Sequence, residues 1–413
     1  MNTATQQTVN DTHRENVTTF LKHLTVDITD RSVASDGNRA ATAYFEARVS
    51  KNGWSTQAQW FDAIDWIGDI ALLTSDDGTI FEVFPSPYAP GIEVSGPLMA
   101  ASTTEDLLHS DAAGMLLLLY GDIAREPLMP KRFPFFAIEE HQRIVAGLEN
   151  SGASAIITAA AADSIIAGGA YPAPMIEDGD FNVPSVFMTE KEGERLLPYV
   201  GQRLTLVSES RRIAGKAANI IARINAGAIH RIVITAHIDA KKNVQGALDN
   251  GTGVATLLLL SHMLKDYRGD FCIELVALNG EDHYAVPGQV AYMNSNHDTF
   301  DTIALNINID GVGYFEGDTA YSFFNLPENI NELAVAELLG APEACAGIEW
   351  PQGDHSMFVQ SGCPAIAVTS DWLLENMATQ TITHTTKDTV DLVDPDKVVA
   401  CALALERFID RLS

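Results

Sequence analysis

Positive charge is scarce in this chain. It has 26 lysines and arginines against 55 aspartates and glutamates, a formal net charge of -29. A protein that grips nucleic acid neutralises phosphates with lysine and arginine, so no nucleic-acid partner is expected. Cysteine is rare as well. Cys272, Cys345, Cys363 and Cys401 are scattered, mostly in apolar runs, with no CxxC pair. They read as reduced, buried small side chains rather than as disulfides or metal ligands. Long apolar runs are missing too, and none approaches the ~20 residues of a membrane span. Met1 to Asn16 is polar and lacks the apolar stretch of a secretory signal. A soluble, cytoplasmic chain without a membrane partner is the expectation. No internal repeat or low-complexity tract is visible.

The chain is 413 residues long and 46% apolar. That is too long for one ordinary core and long enough for two domains. The spacing predicts helices over 17–24 and 37–49, then strands over 67–73 and 79–84 around the turn Ser75-Asp76-Asp77-Gly78. Residues 86–205 differ in character. Prolines cluster at Pro85, Pro87 and Pro90 and again at Pro127, Pro130 and Pro134. Strands over 115–120 and 153–159 and a helix over 140–149 are expected there, with no group of ligand-type residues. This stretch reads as an inserted, non-catalytic domain between 1–85 and 206–413.

From about 206 the pattern alternates. Strands are expected over 231–237, 271–278, 303–309 and 365–369. Helices are expected over 253–264, from 287, over 329–339 and over 396–412. Such alternation predicts an α/β fold, a mostly parallel sheet flanked by helices.

In sheets of this kind, sites form beyond the carboxyl ends of the strands. His237 and Asp239 end one predicted strand, Glu281 and Asp282 follow the next, and Asp310 ends a third. Asp249 lies in the loop before a helix, and His384 in a polar loop before the last helix. Each signal alone is weak, but together they supply imidazoles, carboxylates and a spare acid for a two-zinc hydrolase. His237 would ligate zinc. Asp239, two residues on and pointing the same way along an extended chain, would hold its ring. Asp249 could bridge two ions. Of the adjacent Glu281 and Asp282, one should ligate and the other should take a proton from water. Asp310 and His384 would complete the two shells.

The local sequences AHID (236–239), ALDNGTGVA (247–255), NGEDHYAVPG (279–288), NIDGVGY (308–314), GDHSMF (353–358) and THTTKDT (383–389) resemble the family-28 zinc metallopeptidases. RSVASDGNRAATAYF (31–45) is similar to the N-terminal segment of that family. The family comprises aminopeptidases and carboxypeptidases with two co-catalytic zinc ions on a zinc-exopeptidase fold. Residues 86–205 resemble the β-rich protease-associated domain often inserted in it. The resemblance implies two zinc ions held by His237, Asp249 as the bridge, Asp282, Asp310 and His384. It implies Glu281 as general base and Asp239 as the residue that orients His237. Asp354 and His355 fall in a loop that this family places near the substrate, while His283 and His297 are left without a ligand role. Two positions depart from the family pattern. Asp282 stands where glutamate is more typical, and Lys241-Lys242 follow Asp239 where small or apolar residues are usual.

The resemblance therefore implies a metallo-exopeptidase acting on peptides. The acidity of the site favours a free α-amino group, hence an aminopeptidase. A carboxypeptidase would need a cationic clamp, for which Lys241, Lys242, Arg211 and Arg212 are available. A glutaminyl-cyclase-type acyltransferase and a catalytically silent binding module are the other readings. Metal content separates these classes, at two, one or zero zinc ions per chain.

Overall fold

The computed structural model describes residues 3–160, 176–377 and 379–412. The chain forms two compact units, one from 1–62 with 216–413 and the other from 63–215. Both junctions fall inside unusually long strands, Ser55–Ser75 and Arg203–Ile224. Strands of ~5–6 residues are typical. These two have mixed burial over much of their length, and Asp62, Asp65 and Asp69 interrupt the apolar alternation of the first. That is why the sequence places the domain boundaries near 85 and 206 instead, inside the second unit.

The first unit is the expected α/β layer structure. Its strand order is Ala344–Ala346, Thr319–Phe324, Ala365–Ser370, Ile303–Ile309, Arg231–His237, Cys272–Leu278 and the end of Arg203–Ile224. The four strands from Ala365–Ser370 to Cys272–Leu278 run parallel. Thr319–Phe324 and Arg203–Ile224 flank them antiparallel. Arg231–His237 and Ile303–Ile309 match their sequence expectations to the residue. Both are rich in β-branched residues and almost wholly buried, as a doubly covered parallel sheet requires. Thr319–Phe324 was not foreseen.

Helices Thr3–Leu21, Thr252–Met263 and Pro395–Leu412 pack against one another. Thr252–Met263 is buried nearly all round, so it shows no polar face. It shares a core with the inward residues Ile232, Ile234, Leu275 and Ile307. Alternate residues of the same strands form a buried polar layer on the opposite face. There the Thr235 hydroxyl donates to Asn308 Oδ1 at 2.7 Å. Glu274, wholly buried, accepts from Tyr292 Oη at 2.6 Å and from Arg223 Nε at 2.6 Å. His237 belongs to this polar face.

The second unit is also built on strands, which belong to the same 14-stranded order. Ile92–Ala101, Leu116–Leu119, Ala155–Ala160 and Ser185–Thr189 run parallel. Phe84–Pro85 and the first part of Arg203–Ile224 flank these four antiparallel. Separate apolar cores cover their two faces, with Leu117 and Ile156 in one and Leu116 and Ile157 in the other. Among the described residues, no helix is long and apolar enough to cross a membrane. The four cysteines are free.

Candidate metal and catalytic site

Register brings the candidate residues together. Leu278 pairs with His237, and Asn308 with Thr235, so three parallel strands end at one level. The loops that leave those ends carry Asp239, Glu281, Asp282 and Asp310.

The loop from Gln245 to Asn250 presents Asp249. Gly246 has φ 58° and ψ 48°, a left-handed conformation open to glycine. A Cβ there would lie 2.7 Å from Ala240 Cβ and 2.9 Å from Arg31 Nη2. The Asp249–Asn250 peptide is cis. Asn250 pins the loop to the next strand end, donating to the Ile309 carbonyl at 2.8 Å. It also accepts from Gly253 N at 2.9 Å.

Two residues beneath this loop were not assigned a role from sequence. Arg31 is buried and donates to the carbonyls of Ile238, Leu24, Gln245 and Gly246 at 3.0, 2.8, 2.6 and 2.8 Å. Asp388 is fully buried and accepts from Leu248 N at 2.7 Å and Asp249 N at 3.0 Å. Burial and the neighbouring Asp249 push Asp388 up to about 7, against the two N–H donors and Arg31. The only sequence signal for either was its place in the segments at 31–45 and 383–389. The acidic loop is anchored in a similar way. Asn279 and Asn38 exchange amide hydrogen bonds at 2.9 and 3.0 Å.

His237 Nε2 lies 3.0 Å from Asp249 Oδ1 and 3.6 Å from Asp310 Oδ1. His384 Nε2 lies 3.1 Å from Asp249 Oδ2 and 2.9 Å from Asp282 Oδ1. The ligand-type atoms form two groups, His237–Asp249–Asp310 and Asp249–Asp282–His384, each with its atoms within 4.8 Å of one another. Asp249 belongs to both, one oxygen facing each histidine. Asp239 lies behind His237, with Oδ1 3.7 Å from Nδ1. It is itself fixed by Gly280 N at 2.6 Å and Asp282 N at 3.1 Å. His384 is about half exposed, at 48%. Its φ is 61°, a left-handed backbone that costs a non-glycine residue ~1–3 kcal/mol.

The electrostatics are those of an acidic cluster short of positive charge. Burial opposes charge on His237, but Asp310, Asp239 and Asp249 outweigh it and raise its pKa well above the ordinary imidazole value. His384 is raised in the same way by Asp282 and Asp249, against its desolvation. Burial raises Glu281 well above the usual carboxylate range, and Asp282, Asp354 and Asp310 add to this while His237 opposes it. Asp249 is driven the other way, because the two histidines overcome its burial. The buried ring nitrogens of His237 and the Asp282 Oδ2 atom make no hydrogen bond. Buried polar atoms are rarely left so. Imidazole and carboxylate donors gathered around shared points fit divalent zinc.

A cavity of about 330 Å³ opens on this cluster, lined by Asp249, Glu281, Asp310 and His384 on one side. Trp350, Leu373 and Met377 line the rest with Gln352, Gln380 and Thr383. No lysine or arginine is among its described lining residues. Lys241 donates to the Asp282 carbonyl at 2.7 Å and Lys242 lies 3.5 Å from Asp30. Arg211 and Arg212 belong to the second unit, where Arg212 donates to the Tyr88 carbonyl at 2.6 Å. Asp354 and His355 do not line this cavity. Asp354 is buried, accepts from Gln289 Nε2 at 2.5 Å, and is pushed up to about 7 by burial and by Asp310 and Asp239. His355 Nε2 lies 2.9 Å from the Trp350 carbonyl, and burial lowers its pKa to about 4. His283 is buried beside Tyr284, and the exposed His297 pairs with Asp298; neither joins the two groups.

Residues 219–409 match the sequence profile of Peptidase family M28. The chain carries a family M28 peptidase domain. This domain holds every residue of the two ligand-type groups. The chain is also 27% identical over 329 residues to the probable lipoprotein aminopeptidase LpqL of Mycobacterium tuberculosis. That match takes in 77% of this chain and 61% of the relative. Among solved structures it is similar to BSAP, a zinc aminopeptidase from Bacillus subtilis, at TM-score 0.75 and 18% identity over 97% of this chain and 94% of that one. The aminopeptidase from Aneurinibacillus sp. strain AM-1 gives TM-score 0.72 and 20% identity over 96% of this chain and 93% of that one. At these identities the likeness establishes the fold, a mixed α/β sheet flanked by helices.

Proposed function

We propose that this chain is a zinc-dependent aminopeptidase that releases N-terminal residues from short peptides. The observation that carries the reading is the shared Asp249, with one oxygen toward His237 and the other toward His384. His237, Asp249 and Asp310 would hold one zinc ion, and Asp249, Asp282 and His384 a second. Bound there, zinc supplies Lewis acidity toward a peptide carbonyl and a water. Glu281 is the spare carboxylate of the cavity. Its raised pKa suits a group that takes a proton from the attacking water and returns it to the leaving amine. Asp239, 3.7 Å from His237 Nδ1, is the carboxylate placed behind the ring and would orient it toward the cluster.

The cavity favours an amino over a carboxyl terminus. An α-ammonium group is attracted by the carboxylates, whereas a substrate carboxylate meets no lysine or arginine among the lining residues. The second unit contributes no residue to either ligand group, and we assign it a non-catalytic, protease-associated role. Aminoacyl anilides, their N-acetylated forms and short peptides test the reading. Free-amine substrates should be hydrolysed from the N-terminus. Turnover of blocked substrates, or release of C-terminal residues, would overturn it. A single zinc with cyclisation of N-terminal glutamine would point to the glutaminyl-cyclase class.

A further inference from the structure

Lys241 stands against Asp282, a member of one of the two ligand groups. Its ammonium donates to the Asp282 carbonyl at 2.7 Å and lies 4.0 Å from Asp282 Oδ1. The Lys241 side chain is 13% exposed and that of Asp282 3%. A charge so placed is poorly screened by salt. It draws electron density from a carboxylate that would bind metal, and it repels any dication placed on that carboxylate.

The other group has the opposite support. His237 is fully buried, with the Asp239 carboxylate 3.7 Å from its Nδ1. His384 is about half exposed and sits on left-handed backbone. Both contrasts, with Lys241, act in the same direction.

We propose that Lys241 weakens the Asp249–Asp282–His384 position toward zinc, so that the His237–Asp249–Asp310 position fills first and the other exchanges. This rests on the zinc reading above. The protein then keeps one ion through changes in free zinc and gains or loses the second.

The test is calorimetric titration of the metal-stripped full chain with zinc chloride, for wild type, Lys241→Met, Lys241→Arg and His384→Ala. Wild type should show two unequal binding events. Lys241→Met should tighten the weaker event by roughly tenfold or more, in the range typical of changes behind metal ligands, and leave the tighter one unchanged. Lys241→Arg retains the positive charge and should keep the wild-type gap. His384→Ala should erase the weaker event alone. Two equal events in wild type, or a Lys241→Met chain whose weaker event is unchanged or weaker still, would overturn this inference alone. A wild-type chain that binds no zinc would overturn the metal reading and this inference with it.

Discussion

Replacing Arg31 by methionine should destabilise the first unit and loosen its candidate metal site together. The side chain volume is nearly kept, but the guanidinium disappears. The carbonyls of Leu24, Ile238 and Gln245 then lose the Arg31 donor, while that of Gly246 keeps Gly251 N at 2.9 Å. Each orphaned group costs roughly 1–3 kcal/mol if nothing relaxes. The Asp388 carboxyl also loses its nearby cation. Against this, Arg31 no longer has to be desolvated, a cost visible as a pKa lowered by burial. The net resembles a broken buried charge network, about 3–5 kcal/mol. Denaturant unfolding reads the stability, and zinc titration reads the Gln245–Asn250 loop that presents Asp249. Arg31→Lys restores the charge with fewer donors and should fall between the two. A methionine variant within about 1 kcal/mol of wild type, with normal zinc affinity, would refute the claim that Arg31 builds this site.

Glu281→Gln should lower turnover by roughly 10²–10⁴-fold, the usual contribution of a general acid–base group, while zinc content stays near normal; loss of zinc would make Glu281 a ligand. Asp239→Asn should weaken zinc binding about 10–100-fold with little change in circular dichroism, and an unchanged affinity would deny it the orienting role. Tyr292→Phe removes the 2.6 Å hydrogen bond to Glu274. It should cost about 1.5–3 kcal/mol of stability and leave turnover alone, because Tyr292 does not line the cavity.

The site was legible where chemistry coincides with strand ends. Arg231–His237 and Ile303–Ile309 announce themselves by buried β-branched runs, and His237 and Asp310 stand at their ends. Arg31 was illegible because an arginine between polar residues reads as solvated; only the fold shows four carbonyls converging on it. Asp388 was hidden for the same reason in a polar loop. The long strands Ser55–Ser75 and Arg203–Ile224 escaped because much of their length lacks a clean alternation of buried and exposed residues. That displaced the domain boundaries. Charge counting could supply Lys241, Lys242, Arg211 and Arg212 as candidate clamps. Which of them reach the cavity is a matter of side-chain geometry.

The most direct test strips the protein of metal and follows hydrolysis of an aminoacyl anilide and its N-acetylated form as zinc is returned. Activity on the free-amine substrate should vanish with the metal and return with zinc, and the blocked substrate should stay intact throughout. Hydrolysis that survives complete metal removal, or that proceeds equally on the blocked substrate, would contradict the account.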